Sequence, residues 1–468
     1  MISSEGKILL RLKLVNIGPF EETEIELRPL TLFIGRNSLG KSLIAQTIWV
    51  LVTAVPDFGT LFEAVERKTS GEFRNLIMTI LKKVKEGADV LDDFRKLTKV
   101  LVEEFHIGLA EGLKRRLEEV FGSAKALIKE GSEEARIEIE ALAGNKRIAT
   151  VSFVIRGDEV QPADYMPNME FLGSISTETL YFKHLRILID GEQIYDDIVD
   201  TEEELLRGPF AYTLLHYVAN SFYPFFHVIY SALLPDSRAG IARVLLKPYP
   251  RYPMIRDVTE IEKEFLDLFH ELSKAFYRGE IDDNFKDVLN ELLKELGCEL
   301  EIVHEAGVYV AYLRMWSGRR LHYSEAPSGI REALIVALAL ASKYNTMVVI
   351  EEPEAHLHPG AQRLLAKLVA RAVNSEKLVV ITTHSDYMFS SLNNLLALNW
   401  RSREELGKLG FKELDVLNPS DISVYLIKAD NGRAVAEKLT VNSRGIPDEE
   451  FAKVVDEILT ERARIEVG

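Results

Sequence analysis

The chain has 468 residues, a formal net charge of −16 and 47% hydrophobic residues. This length exceeds that of a single core, so we expect a globular protein with two or more lobes. The negative charge argues against nonspecific coating of nucleic acid, which needs concentrated Lys and Arg. Cys298 is the single cysteine, which excludes an internal disulfide, and no apolar run approaches the roughly 20 residues that span a bilayer. We therefore expect a cytoplasmic protein with no membrane association.

The first 50 residues predict two strands, a loop and a helix that starts near Ser42. The loop, in "FIGRNSLGKS", matches G-x-x-x-x-G-K-[ST]. In such loops the backbone N–H groups wrap the phosphates of a nucleotide, the lysine reaches the outer phosphates and the serine binds Mg²⁺. The sequence thus predicts an α/β core that binds a nucleotide through Gly35, Arg36, Asn37, Ser38, Leu39, Gly40, Lys41 and Ser42.

Residues 56–134 have amphipathic spacing that predicts helices, with breaks at Gly71, Gly87 and Gly122. Polar and apolar residues then alternate on both sides of Gly144-Asn145, which predicts a hairpin in an antiparallel β lobe. Aromatic-rich helical sequence follows from about 203 to 223.

The segment "FHVIYSALLPDSRAG" predicts a buried strand that enters a loop, and two charged helices follow in a second, helical lobe. The last third returns to alternating strands and helices and closes with two β-rich segments and a helix. The predicted division is 1–55 (first part of the core), 56–225 (helical and hairpin insertion), 226–323 (helical lobe), 324–400 (second part of the core) and 401–468 (a small α/β extension).

The run "TMVVIEEPEAHLHP" is typical of a buried parallel strand that delivers carboxylates at its C-terminal end. There Glu351 would hold Mg²⁺ through water, and Glu352 would orient or deprotonate the attacking water. One alternative is a surface acidic turn. Another is a transition-metal site, although its histidines stand at i, i+2 and not at the i, i+4 spacing of tight helical ligand pairs; its ligands would be Glu351, Glu352, Glu354, His356 and His358.

Two further positions carry candidate chemistry. His384 ends the strand "KLVVITTHS" and could hydrogen-bond a terminal phosphate or the attacking water, or be a satisfied core histidine. Ser328 and Gly329 start a long apolar helix, whose free N–H groups and dipole favour anions. Since the phosphate loop already serves one nucleotide, this second N-terminus is free to cap a nucleotide held by another subunit. The alternative is that Ser328 is an ordinary N-cap.

Two basic patches are candidates for contact with nucleic acid. They are Lys114, Arg115 and Arg116, and Arg319 with Arg320. The alternative, which the overall charge favours, is that these are solvated helix faces and a hairpin turn.

In chain order, "GRNSLGKS", "APSGI", "VVIEEPEAHLHP" and "ITTHSDYM" resemble the phosphate loop, signature, acidic strand and switch histidine of ABC-type ATPases. The opening of the chain and "EEPEAHLHPGAQ" are similar to the RecF/SMC/OLD-like branch, often labelled AAA-15 or AAA-21. The resemblance implies a P-loop NTPase core with a mixed sheet, an antiparallel β lobe and a helical insertion lobe.

By the same resemblance, Lys41 and Ser42 bind phosphate and Mg²⁺, Glu352 is the catalytic base and His384 senses the γ-phosphate. Ser328 and Gly329 would reach across a head-to-tail homodimer that buries two ATP molecules, and "EAHLHP" would contact the partner.

The sequence departs from the family pattern at three points. Ile330 replaces the second glycine of the signature, and Glu351 replaces the usual Asp. In place of the lobe-linking glutamine stands "LPDSRAG", where Ser237 and Arg238 are candidates. OLD nucleases add a Toprim nuclease domain, and the residues after "TTHSDYM" lack an obvious E…DxD acidic set, so we expect no nuclease within this chain.

The leading hypothesis is an ATP-hydrolysing dimerisation switch in DNA repair or in defence against foreign DNA, with a separate nuclease or toxin effector. A second hypothesis is a regulatory module whose ATP-driven dimer gates a partner protein, with slow hydrolysis as a timer. A third, the energy subunit of an ABC transporter, is disfavoured because the signature and "EEPEAHLHP" depart from the transporter form.

Overall fold

The computed structural model describes residues 8–144, 146–180, 183–214, 231–246, 259–305, 307–443, 445–447 and 449–467. It divides into two compact units, both built from two separate stretches of chain. Unit I comprises Met1–Glu26 and Val50–Val228, and unit II comprises Leu27–Trp49 and Ile229–Gly468. Three sequence predictions fall partly outside the described residues: Asn145 of the hairpin turn, the aromatic-rich sequence from 215 to 223, and the "FHVIY" part of the buried strand.

The strands in chain order are β1 (Ile8–Ile17), β2 (Phe20–Leu27), β3 (Leu30–Gly35), β4 (Glu134–Ala143), β5 (Lys146–Arg156), β6 (Glu159–Met166), β7 (Ile175–Leu180), β8 (His184–Ile189), β9 (Glu192–Ile198), β10 (Ser231–Leu234), β11 (Cys298–Glu305), β12 (Val308–Met315), β13 (Arg320–His322), β14 (Met347–Glu351), β15 (Leu378–Thr383), β16 (Ile422–Asp430) and β17 (Arg433–Leu439). The helices are α1 (Lys41–Thr53), α2 (Phe58–Thr69), α3 (Glu72–Glu86), α4 (Leu91–Phe121), α5 (Glu202–Leu205), α6 (Arg238–Leu245), α7 (Glu260–Tyr277), α8 (Lys286–Glu295), α9 (Ser328–Ala341), α10 (Pro359–Asn374), α11 (Asp386–Ala397), α12 (Arg403–Lys408) and α13 (Glu449–Val467).

Unit I combines an antiparallel β lobe with long helices. Strands β2, β1, β4, β5 and β6 are neighbours in that order, and β1–β4, β4–β5 and β5–β6 pair antiparallel. The predicted hairpin is confirmed, since Ala143 lies opposite Lys146. The predicted helix breaks are confirmed as well: α3 and α4 end at Gly87 (φ 67°) and Gly122 (φ 78°), left-handed positions that glycine adopts readily. Strands β7 to β9 form a separate antiparallel sheet.

Unit II contains the mixed sheet that the family resemblance implies. The strand order is β10, β14, β15, β3, β16 and β17, and β17 is the one antiparallel member among them. Every residue of β14 and of β15 is buried, as the unbroken apolar sequence predicts. The predicted P-loop α/β core is therefore confirmed.

The remaining part of unit II holds the predicted charged helices, which are α7 and α8. Strands β11, β12 and β13, which are absent from the predicted elements, form a small antiparallel sheet after them. The predicted buried strand and loop in "SALLPDSRAG" are confirmed as β10 and residues 235–237, and the loop ends where α6 begins at Arg238.

No single helix in the described ranges is long and apolar enough to cross a membrane. Helices α1 and α2 satisfy that test of length and composition only as a bent pair.

A buried charge network ties α10 to the elements around it. Arg371 is fully buried; its Nε donates to Asp415 at 2.6 Å and its Nη1 to Asp287 at 2.5 Å. Lys367 and Lys412 add ion pairs to the same two carboxylates. Desolvation alone would raise the pKa of Asp287. Arg371 and Lys412 outweigh it and hold that pKa well below its usual range.

Replacing Arg371 with Met should lower the free energy of unfolding by about 3–5 kcal/mol, because it strips the buried Asp415 of its closest charged partner. Chemical denaturation of the full chain measures this loss. Arg403→Met is the matched control, since Arg403 is 82% exposed in its pair with Glu413. Equal denaturation midpoints for the two variants would contradict the prediction.

The start of α9 packs closely against the loop that follows β14. A Cβ atom placed on Gly329 would lie 2.6 Å from the backbone carbonyl oxygen of His356, and 3.4 Å from Leu357 Cδ2. Backbone cannot swing aside as a flexible side chain can, so only glycine fits here.

Gly329→Ala should therefore destabilise unit II by about 1–3 kcal/mol through forced displacement of α9 or the loop. Gly240→Ala is the control within the same unit, because a Cβ on Gly240 in α6 meets open space. We expect that variant to be neutral or slightly stabilising in urea unfolding. Indistinguishable unfolding curves for both alanines would show that the contact is unimportant.

Candidate active site

One edge of the unit II sheet gathers the sequence-predicted residues. Strands β3, β14 and β15 are parallel, with Glu351 opposite Thr382 and Thr383 opposite Ile34. Their C-terminal ends therefore lie together, and each is followed by a predicted motif: the loop 36–40, Glu352 and His384. This is the edge at which open α/β sheets bind ligands.

The loop between β3 and α1 has the backbone that the motif predicts. Gly35 (φ 130°), Ser38 (φ 63°) and Gly40 (φ 95°) all have positive φ. At Gly35 a Cβ would lie 2.2 Å from the carbonyl oxygen of Ile427 on β16, so a side chain is excluded by space as well as by φ. Lys41 Nζ donates to the carbonyls of Gly35 at 2.9 Å and Arg36 at 2.8 Å.

Lys41 lies in a polar but largely buried environment. It is 6% exposed, and burial lowers the pKa of its ammonium group, while the carboxylates of Glu352 and Glu354 act in the opposite direction. The lysine of the phosphate loop and the acidic residues after β14 thus belong to one electrostatic site.

Glu351 is the most deeply buried carboxylate at this edge, at 1% exposure. Gln46 Nε2 donates to its Oε1 at 2.8 Å, and the backbone N–H of Asp236 donates to its Oε2 at 3.2 Å. Burial nonetheless raises the pKa of Glu351 to about 7. Ser42 stands four residues before Gln46 and so shares its face of α1.

The donor set fits a hard divalent cation. Ser42 and Glu351 offer oxygen atoms of the kind that Mg²⁺ prefers, and a nearby cation would offset the desolvation that raises the pKa of Glu351. Sequence reasoning missed Gln46 and Asp236. A signal existed for Gln46, an isolated amide in the apolar run "KSLIAQTIWV".

Glu352 and His384 face each other. His384 Nδ1 lies 3.2 Å from Glu352 Oε1, and both side chains are partly exposed, so the pair is open to a ligand from solvent. Glu352 has φ 45°, an unusual value for a residue with a side chain, and its N–H donates to the carbonyl of Thr382 at 2.9 Å.

Glu354 has a supporting position that the sequence did not indicate. Its Oε1 accepts hydrogen bonds from Thr383 Oγ1 at 2.7 Å and from the backbone N–H of His384 at 3.0 Å. The carboxylate, 7% exposed, thereby fixes the turn that carries His384.

The hypothesis of a transition-metal site is wrong for this arrangement. Glu351 and Glu354 bond to different partners, and His358 caps α10 through the N–H of Gly360 at 3.2 Å. Within the described part of the chain no group of three or more His, Cys, Asp or Glu side chains could hold a metal ion.

The N-terminus of α9 differs from the alternative that makes Ser328 its N-cap. Pro327, and not Ser328, occupies the N-cap of α9, so the interpretation of Ser328 as an ordinary N-cap is wrong. Gly329 lies against His356 of the same chain. Of the two candidates in "LPDSRAG", Ser237 precedes α6 without a side-chain capping bond, and Arg238 is fully buried.

Comparison with known proteins agrees with this geometry. Residues 252–389 match the AAA-15 family, described as an AAA ATPase domain. A stretch of 181 residues is 28% identical to the OLD nuclease of Thermus scotoductus; it covers 35% of this chain and 33% of that relative. The matched region thus spans about a third of the relative's length.

The solved structures to which this chain is similar include SMC heads. An SmcHead bound to the C-winged helix domain of ScpA is 12% identical, with 93% of this chain and 98% of that one covered and a TM-score of 0.43. An Smc head with an extended coiled coil, bound to the C-terminal domain of ScpA and derived from Pyrococcus furiosus, is 12% identical with coverages of 97% and 100% and a TM-score of 0.43. The SMC head of Thermotoga maritima is 10% identical, with coverages of 92% and 98% and a TM-score of 0.36.

The four motifs in order, the mixed α/β sheet that carries them, the AAA ATPase domain match and the OLD nuclease similarity together fit an ABC-type ATPase of the RecF/SMC/OLD-like branch.

Proposed function

We propose that this chain binds ATP with Mg²⁺ and hydrolyses it to ADP and phosphate. The observation that carries the proposal is the convergence of Lys41, Glu351, Glu352 and His384 on one edge of the unit II sheet. Phosphoryl transfer needs mainly positioning and charge compensation, and this edge supplies both.

Each group has a distinct role in the proposed reaction. The N–H groups of the loop 35–42 and the Lys41 ammonium hold the phosphates. Ser42 and, through water, Glu351 would hold Mg²⁺, which would neutralise charge on the phosphate oxygens. Glu352 orients the attacking water and accepts its proton, and His384 donates a hydrogen bond to the terminal phosphate.

The proposal includes a head-to-tail homodimer formed on ATP binding. Two segments are expected to meet the partner: Ser328-Gly329 and the "EAHLHP" loop. They adjoin each other in unit II, since Gly329 packs on His356, so one continuous face carries both. A nucleotide held by one chain would then lie against the N-terminus of α9 in the other.

We propose that this switch acts in the cytoplasm in DNA repair or in defence against foreign DNA, together with a separate nuclease or toxin effector. The similarity to an OLD nuclease over 181 residues supports this assignment.

A second candidate function is a regulatory switch that gates a partner protein through slow hydrolysis. The ion pairing of the predicted basic patches favours it. Lys114 pairs with Glu159 at 2.9 Å, Arg115 with Asp57 at 2.8 Å, and Arg320 with Glu301 at 3.0 Å, which reduces the charge available to phosphates.

Replacing Glu352 with Gln should lower kcat for ATP hydrolysis by about 10²-fold or more while ATP binding persists, because the amide cannot accept the proton of water. Steady-state phosphate release and equilibrium nucleotide binding measure the two effects. The control is Glu404→Gln in α12, which removes an exposed carboxylate that does not belong to the candidate site. Normal turnover by the Glu352 variant would refute the assignment of the base.

The same Glu352→Gln protein should convert from monomer to dimer when Mg·ATP is added, because the bound ATP is no longer hydrolysed and the dimer that it stabilises does not dissociate. Size-exclusion chromatography with light scattering gives the mass in each state. Unchanged mass with ATP would remove the dimerisation switch. Co-elution of duplex DNA with the ATP-bound form, lost at high salt, would favour the repair or defence role over the protein-gating role.

A further inference from the structure

Arg238, at the start of α6, is fully buried behind the acidic residues that end β14. Its Nη1 donates to the backbone carbonyl of Glu351 at 2.6 Å and to that of Pro235 at 2.9 Å. Its Nη2 donates to the carbonyl of Glu352 at 2.8 Å. One planar guanidinium therefore holds the two consecutive carbonyls of the acidic pair.

Arg238 makes these hydrogen bonds where the backbone, at Glu352, is strained. Glu352 has φ 45°, a strained value that a residue with a side chain keeps only where its surroundings fix it. The carbonyl of Glu352 also accepts from the N–H of Ala355 at 3.1 Å. With its carbonyl held from two sides, the peptide has one orientation, which directs the Glu352 side chain toward His384.

The guanidinium is itself held in place by α9. Arg238 Nε donates to the backbone carbonyl of Glu332 at 3.3 Å and lies 2.7 Å from Glu332 Oε2 in an ion pair, and Glu332 is 2% exposed. Glu332 stands one turn after Ser328 in α9. Arg238 thus links the helix expected to meet the partner's nucleotide with the strand end that carries the candidate base.

We propose that Arg238 is a positioning residue for hydrolysis, which acts on the water-activating Glu352 through the backbone and not on the nucleotide. The inference rests on the proposed ATPase function. Loss of the grip lets the Glu351–Glu352 peptide relax, so Glu352 moves away from the attacking water while the phosphate loop is untouched. Displacements of about 1 Å at a reacting group cost on the order of 10²-fold in rate.

The test compares Arg238→Lys with Arg371→Lys in the full chain. Lysine keeps the charge, but a single ammonium cannot span both carbonyls and Glu332. We expect kcat of Arg238→Lys to fall about 10-fold to 100-fold, with KM for Mg·ATP within about 2-fold and ATP-driven dimerisation retained. Arg371 is equally buried in unit II, but its bonds go to Asp287 and Asp415, so Arg371→Lys should keep kcat while it remains folded.

Glu332→Gln is the second variant, and it decides the matter if Arg238→Lys fails to fold by circular dichroism. The amide keeps the shape and the backbone hydrogen bond to Arg238 Nε but removes the ion pair, so we expect a smaller fall of kcat with KM again unchanged. Unchanged kcat in the folded variants, or a parallel loss of ATP binding and dimerisation, would overturn the positioning role. Absence of turnover in the unmodified chain would instead overturn the proposed function and this inference with it.

Discussion

Parallel pairing of β3, β14 and β15 is the constraint on which the site depends. The three strands are buried, and their register sets Glu351 beside Thr382 and Thr383 beside Ile34. Because the strands run in the same direction, the polar segments that follow them all lie at the same edge of the sheet. A shift by a single residue would turn every side chain to the other face and separate the carboxylates from the phosphate loop.

These strands are far apart in the sequence, because the two stretches of unit II are separated by Val50–Val228, which belong to unit I. The entropy of closing a loop grows only slowly with its length, so a large insertion is tolerated once the strands pack. The apolar residues of β14, β15, α9 and α10, which belong to one buried cluster, supply the stabilising term.

The electrostatics of the site follow from its depth. Glu351 is buried enough that its pKa rises to about 7, and burial lowers the pKa of Lys41. Both shifts mark charges held away from water at a fixed position, where each interacts strongly with a ligand charge. Around them, Gln46 donates to the Glu351 carboxylate, Arg238 donates to the carbonyl of Glu352, and Glu354 accepts from the backbone N–H of His384.

The sequence by itself determined the α/β core, the phosphate loop, the acidic strand end and the strand-terminal histidine. Each of these is a local pattern: glycine spacing, an apolar run, or a polar residue after a strand. The hairpin at Gly144 and the helix ends at Gly87 and Gly122 were equally readable, since turn chemistry is local too. The division of the chain into lobes and the roles of the site residues stay predictions.

Tertiary structure alone decided which groups support the site. Arg238 bonds the carbonyl of a residue 113 positions away, and Gln46 bonds a carboxylate 305 positions away. No spacing rule connects such pairs, because their meeting depends on how α6 and α1 pack on the finished sheet. For the same reason the composition of "LPDSRAG" indicated the loop but not its end at Arg238, where a helix begins and the buried guanidinium meets its carbonyl and carboxylate partners.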